Sequence, residues 1–271
     1  ANDITSFSAG GTTSNASTST ANLYAHTTSS TTIDMSAGSG KFKIFVSGGT
    51  DNIKGGTDDD IITITASGKG DADTIDGHTH GGSGDTLALS TGTHTFSDND
   101  KLKGIEIITT HSSGSTVVLT GQNETFEING GAGKDYITGG GGVDTINAGD
   151  NQDTITGGAG DDIITGGSGN DTFNIDSGTD IITDLTTGDI IKVTSGANLN
   201  VTGITGFEAT SASTNANTSA SAVSLTAASG AVTIDMTDSD AKYTITGGSG
   251  DNTLKAGKKD SVLKGEAGDD T

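Results

Sequence analysis

Between Gly130 and Asn174 the chain repeats itself every nine residues, five times in one frame and without an insertion: GGAGKDYIT, GGGGVDTIN, AGDNQDTIT, GGAGDDIIT and GGSGNDTFN. Each unit places small residues, mostly glycine, at positions 1, 2 and 4, an aspartate at position 6 and a large apolar residue at position 8. Position 8 sends its side chain inward from a very short strand, and the glycines turn the chain between strands. Two units then make one coil of 18 residues, so every second aspartate falls on the same edge of a parallel β-solenoid.

That arithmetic places Asp135, Asp153 and Asp171 in one ladder and Asp144, Asp162 and Asp180 in another. Ile137, Ile146, Ile155, Ile164, Phe173 and Ile182 stack between the ladders as a thin core. Glycines at positions 2 and 4 leave carbonyl oxygens facing into the turn: Gly131, Gly133, Gly140, Gly142, Gly158, Gly160, Gly167 and Gly169. Carbonyls and carboxylates from neighbouring turns suit Ca2+, which takes six to eight oxygens in irregular geometry. Without an ion, aspartates stacked at the ~4.8 Å strand separation are expected to repel one another.

Composition sharpens the expectation. The 271 residues carry a net charge of −22, with no Cys, Pro or Trp and only 30% apolar residues. Charge and low hydrophobicity alone describe a disordered chain, and the regular repeats argue instead for order that depends on bound cations. The acidity argues against nucleic acid and against an anionic lipid surface. No apolar run is long enough for a membrane span, and the N-terminus has no basic-then-apolar leader. Sites of this open type suit millimolar calcium, and therefore an extracellular setting.

A longer period overlies the short one. ITSF from Ile4, LKGIE from Leu102 and ITGFE from Ile204 place Phe7, Ile105 and Phe207 close to one hundred residues apart. Each is followed by Ser/Thr/Ala-rich sequence and then by glycine-rich repeats opening at Gly48, Gly130 and Gly247. The division expected is a first module over 1–100, a second over 101–200 with the regular β-roll at 130–192, and a third over 201–271. In the first, GGTDDDIIT and GKGDADTID keep Asp60 and Asp73 as further calcium candidates, whereas GGSGDTL from Gly81 lacks one residue of the frame. After Asn174 the units IDSGTDIIT and DLTTGDIIK read as a coil fading towards a cap, and 15–21 and 211–221 read as linkers. Alternating stretches such as Thr116–Ile128 read as more strands, in the solenoid or beside it, and no segment has a helical period. The last residues, GEAGDDT, stop inside a repeat, as a piece of a longer protein would.

The sequence lacks HExxH, GxSxG, a phosphate-binding GxxxxGK[ST] and a cysteine nucleophile, so no enzyme is expected. His78 and His80 lie beside Asp76 and Asp85, in a glycine-rich setting that reads as a solvated loop rather than a transition-metal site. The repeats of Gly130–Asn174 resemble those of RTX proteins, which bacterial type I systems secrete. The resemblance implies an all-β, calcium-bound parallel β-roll, exported unfolded and folded by calcium outside the cell. The modular plan, with its TGFE and KGIE motifs and cysteine-free acidic composition, is most similar to RTX-type surface-layer (S-layer) proteins. That narrower resemblance implies a structural protein that tiles a bacterial surface, its partners being copies of itself and cell-surface polysaccharide reached through regions outside this chain. Alternatives are an RTX adhesin or biofilm-matrix protein, or the calcium-binding region of a secreted RTX enzyme or toxin.

Overall fold

The computed structural model describes residues 6–8, 21–25, 30–65, 73–217 and 222–271. Ile4–Thr5, most of the first expected linker (15–20), the end of the second (218–221) and the opening of the degenerate repeat at 68–72 lie outside the described residues.

The architecture is all-β, and each strand pairing is parallel. One wall is a single thirteen-stranded sheet running from Ala21–Ala25 to Val262–Lys264. The other wall is built of three sheets in succession. The first has five strands, from Ser6–Ser8 to Leu102–Lys103; the second has seven, from Gly92–Thr95 to Thr214–Asn215; the third has three, from Phe207–Glu208 to Thr253–Lys255. Each change of sheet falls in a coil that carries two short strands on this side, Gly92–Thr95 with Leu102–Lys103 and Phe207–Glu208 with Thr214–Asn215. Those coils hold the KGIE and TGFE motifs, so the hundred-residue period marks where the second wall begins a new sheet while the first runs on. No helix among the described residues is long and apolar enough to cross a membrane.

Register follows from side-chain alternation. A strand presents alternate residues to its two faces, and every coil must bury the same face as its neighbour. The thirteen-stranded wall therefore aligns an inward column: Leu23, Ile44, Ile62, Leu87, Ile108, Ile128, Ile146, Ile164, Ile182, Val201, Leu225 and Ile245, with Leu263 of the last coil in the same register but 45% exposed. Facing it, Val117, Ile137, Ile155, Phe173 and Ile191 form the matching column of the seven-stranded sheet. From Ile128 to Ile182 the pairing advances by 18 residues per coil. Ile44 to Ile62 and Ile245 to Leu263 also advance by 18, whereas other coils are longer, reaching 25 residues between Ile62 and Leu87, yet the inward column keeps its phase. In the 24-residue coil between Val201 and Leu225 the register shifts between Val201 and Ile204, so one irregularity enters the ladder there.

Two sequence expectations are overturned. The coil does not fade into a cap after residue 183, because Ile190–Val193 and Asn198–Ile204 continue both walls and seven further strands follow among the described residues. The stretch 211–217 is coil wall rather than linker: Thr214–Asn215 pairs with Lys192–Val193, and Asn217 Nδ2 donates to the carbonyls of Thr194 and Ala197 at 3.2 and 2.8 Å. Ser and Asn-rich composition reads as flexible, but here the short amide side chains satisfy carbonyls of the neighbouring coil. Thr116–Ile128, ambiguous in sequence, belongs to the solenoid itself.

This register makes a direct prediction. Ile146 is fully buried, while Ile163, in the adjoining coil of the same wall, is 41% exposed. Ile146→Ala should lower stability by about 2–5 kcal/mol, and Ile163→Ala by less than about 0.5 kcal/mol. Thermal melts of both variants in saturating calcium measure the difference, and equal losses would contradict the register.

Candidate metal-binding edge

Position 6 of each repeat lies where the turn enters a strand, two residues before the buried apolar side chain. The structure turns these aspartates inward: Asp60, Asp73, Asp135, Asp144, Asp153, Asp162, Asp171 and Asp180 are all buried. Each carboxylate reaches back by one coil. Asp153 Oδ1 accepts the Asp135 N–H at 2.7 Å, and Asp171 Oδ1 accepts the Asp153 N–H at 2.8 Å. In the other ladder Asp162 accepts from Asp144 at 2.8 Å and Asp180 from Asp162 at 3.0 Å. The stacked carboxylates are thus charge-assisted acceptors that join one coil's main chain to the next.

The ladders extend beyond the regular repeats. Asp189 accepts from Asp171 at 2.8 Å, Asp73 from Asp51 and Asp51 from Thr31, each at 2.9 Å. Asp85 accepts from Asp60 at 2.6 Å and Glu106 from Asp85 at 2.7 Å. Near the C-terminal end Asn252 accepts from Val232, and Asp270 from Asn252. Counting nonapeptides passed over Asp51, Asp85 and Asp270 as site residues, because insertions and a shortened unit break the frame around the first two. A shorter signal was available: Asp51-Asn-Ile53 and Asp85-Thr-Leu87 share the aspartate, any residue, aliphatic order of Asp144-Thr-Ile146.

Glycine makes the stacking possible. Gly167 has φ +98, and a Cβ there would collide with the carbonyl oxygen of Gly149 in the preceding coil. Gly149 in turn stands at φ +107 against the carbonyl of Gly131. Gly158 and Gly160 face the carbonyls of Gly140 and Gly142, and Gly169 that of Asn151, in the same manner. The turns therefore present columns of main-chain oxygens beside the carboxylate ladders. Gly133 opens its column against the backbone of Ser113 and Gly114, and Asn151 at φ 79 takes the left-handed place that glycine holds elsewhere.

The donor set suits a hard cation. Oδ2 of Asp85, Asp135, Asp153, Asp162 and Asp180 is buried with no hydrogen-bond partner in the protein, an arrangement that is costly unless something else supplies positive charge. Among the described residues no three carboxylate or imidazole side chains converge on one point. An ion on this edge must therefore take main-chain carbonyls as well as carboxylate oxygens, which calcium accepts and transition metals disfavour. His78 and His80 form no such centre: the His78 N–H donates to Asp76 Oδ1 at 2.8 Å, and His80 Nε2 lies 3.7 Å from Glu106 Oε1.

Electrostatics points the same way. Loss of water raises the carboxyl groups of Asp135, Asp144 and Asp171 to about 6 and those of Asp153 and Asp180 to about 7, against backbone hydrogen bonds that pull them down. Asp60, Asp162 and Asp189 are raised for the same reason. A carboxyl whose folded pKa exceeds its unfolded value destabilises the fold once it ionises, and its contribution worsens as pH climbs from about 4 to 7. In chelator the melting temperature should accordingly rise when pH is lowered from 7 to 5. With calcium bound, protons compete for the same oxygens and acidification should lower it. A metal-free protein that melts higher at pH 7 than at pH 5 would contradict this account.

The glycine columns give a second prediction. Gly131 and Gly167 share a positive φ, but space around a Cβ at Gly131 is open whereas Gly167 abuts a carbonyl. Gly131→Ala should cost about 1–2 kcal/mol of backbone strain, and Gly167→Ala should cost more and weaken calcium binding. Calcium-dependent melts of the two variants measure this, and equal effects would exclude the carbonyl contact as the cause.

Comparison with known proteins agrees with this geometry. The family model described as the RTX calcium-binding nonapeptide repeat matches four times, at residues 45–63, 127–155, 147–182 and 246–271. No curated protein and no solved structure matches the chain. The chain thus carries RTX repeats, calcium-binding nonapeptides wound into a parallel β-solenoid.

Proposed function

We propose that the protein is a structural S-layer component whose calcium-dependent folding and self-association build a two-dimensional lattice on a bacterial surface. The observation that carries this reading is the unbroken thirteen-stranded wall, which passes through all three modules and makes one continuous β-solenoid of them. The aspartates at 60, 73, 135, 144, 153, 162, 171 and 180 supply carboxylate oxygens to the ions. Gly131, Gly133, Gly140, Gly142, Gly158, Gly160, Gly167 and Gly169 supply carbonyls. The protein's own groups hold the coils in register, and calcium supplies the countercharge that the buried carboxylates lack.

Secretion in an unfolded state, which the RTX resemblance implies, is compatible with the same physics. Where calcium is scarce the charge of −22 and the lean core oppose folding. Where it is millimolar, each site that binds only the folded state adds about 1.4 kcal/mol at tenfold saturation. Outward positions along the walls are mostly Thr, Asn, Ser and Lys, with exposed apolar residues such as Tyr136, Val143, Ile163 and Ile181 interspersed. Such surfaces are compatible with lateral packing of copies.

Negative-stain imaging in millimolar calcium and after chelation tests the lattice. Ordered sheets that disperse on chelation, together with a partial loss of the β-signal in far-ultraviolet circular dichroism, are expected. Isolated rods in both conditions would overturn the lattice and favour an adhesin or the calcium-binding region of a secreted enzyme or toxin. A circular dichroism spectrum indifferent to chelator would overturn calcium-dependent folding as well.

A further inference from the structure

Residues 64–126 lie between the first two matches to the repeat model. The frame is broken there, and Gly77 to Asp85 spans three residues more than Gly139 to Asp144. The backbone nevertheless rebuilds the cradle of the regular coils. At Gly139 an added Cβ would collide with Gly157 O of the next coil and come within 2.6 Å of Asp144 Oδ2. Gly55 faces Gly77 O and Asp60 Oδ2 in the same way, and Gly77 faces Gly104 O and, at 2.5 Å, Asp85 Oδ2. In each case a carbonyl of one coil and an aspartate oxygen meet beside a glycine.

The three cradles differ in the amide that follows. Gly140 and Gly56 turn their N–H groups onto Asp144 Oδ2 and Asp60 Oδ2, at 3.0 and 2.5 Å. His78, in the left-handed region at φ 80, turns its N–H away to Asp76 Oδ1. Asp85 is fully buried, its Oδ1 engaged by the Asp60 N–H and its Oδ2 without a partner. Glu106, whose Oε2 accepts the Asp85 N–H, adds a second carboxylate immediately above, and Asp60 a third below. Burial, with Asp60, Glu106 and Asp59 nearby, pushes the Asp85 carboxyl up to about 7.

We propose that Asp85 Oδ2 and the Gly104 carbonyl form a calcium site outside the nonapeptide repeats, with Glu106 adding negative charge beside it. The inference rests on the reading that carbonyl–carboxylate cradles of this edge ligate calcium. An unpartnered buried carboxylate oxygen facing a carbonyl calls for a hard cation, and an irregular oxygen cradle favours calcium over magnesium. The site ties the coil of Asp85 to that of Gly104, where the second wall changes from its first sheet to its second. Its consequence is calcium-dependent rigidity at the junction of the first and second modules.

Native mass spectrometry of the 271-residue protein refolded in calcium counts its ions. Asp85→Asn keeps an acceptor for the Asp60 N–H and should fold, bind one ion fewer than the parent and melt lower in calcium but not in chelator. Asp162→Asn, in a matched repeat, serves as the comparison. A full ion count in Asp85→Asn with one ion lost in Asp162→Asn would overturn this site alone. Full counts in both would overturn it together with the ligand reading on which it rests. If Asp85→Asn does not fold, the 13C-carbonyl resonance of Gly104 in the parent decides: a calcium-dependent shift supports coordination, and none at saturating calcium overturns it.

Discussion

A buried carboxylate that accepts a main-chain N–H from the preceding coil is the contact on which this solenoid depends. It recurs in both ladders of the regular block, from Asp135 through Asp189 and from Asp144 through Asp180. Each such bond satisfies an amide at the point where a turn becomes a strand, and so fixes where the next coil begins. Its geometry also places a second oxygen in the interior, where four aspartates of these ladders leave it unpartnered. The feature that sets the register is therefore the feature that demands a cation. Folding and metal binding are coupled because they use the two oxygens of one side chain.

Glycine and the aliphatic columns complete the arrangement. The core is one side chain thick per wall, chiefly isoleucine, leucine and valine, and without further support it is lean for the length of chain it must order. Close approach of successive turns removes main-chain carbonyls from water and ranks them beside the aspartates. That approach is available only where the turn residue has no Cβ, as at Gly149 and Gly167. Calcium, which tolerates mixed and irregular oxygen sets, is the ion such an edge accommodates.

The departures from strict repetition have a structural counterpart. Long coils keep the inward column in phase, so the thirteen-stranded wall is continuous. The second wall changes sheet at the two coils that carry an additional strand, and it is there that the sequence inserts its LKGIE and TGFE motifs. Neutral or longer side chains retain the joining bond: Asn252 Oδ1 still accepts the Val232 N–H, and Glu106 reaches the Asp85 N–H with one more methylene. Hydrogen bonding between coils is thus preserved over a wider stretch than the repeat pattern that suggests calcium.

The sequence by itself determined the parallel β-solenoid, its 18-residue coil and the two aspartate ladders between Asp135 and Asp180. A strict nine-residue period with one inward residue per unit admits little else, and position in the period assigns each side chain to an edge. The same reasoning faltered where the period did. Asp51 and Asp85 fall out of frame, and the Asn217 region resembled a linker because composition does not reveal which carbonyls a side chain will meet. Only the tertiary structure decided that the aspartates point inward to accept amides rather than repelling one another along an exposed edge. It also decided that Asp144 spends its second oxygen on Gly140 while Asp85 keeps its own unpartnered, since His78 at positive φ sends its amide elsewhere. Those outcomes depend on main-chain directions set by the stacked neighbouring coil, which no local run of residues specifies.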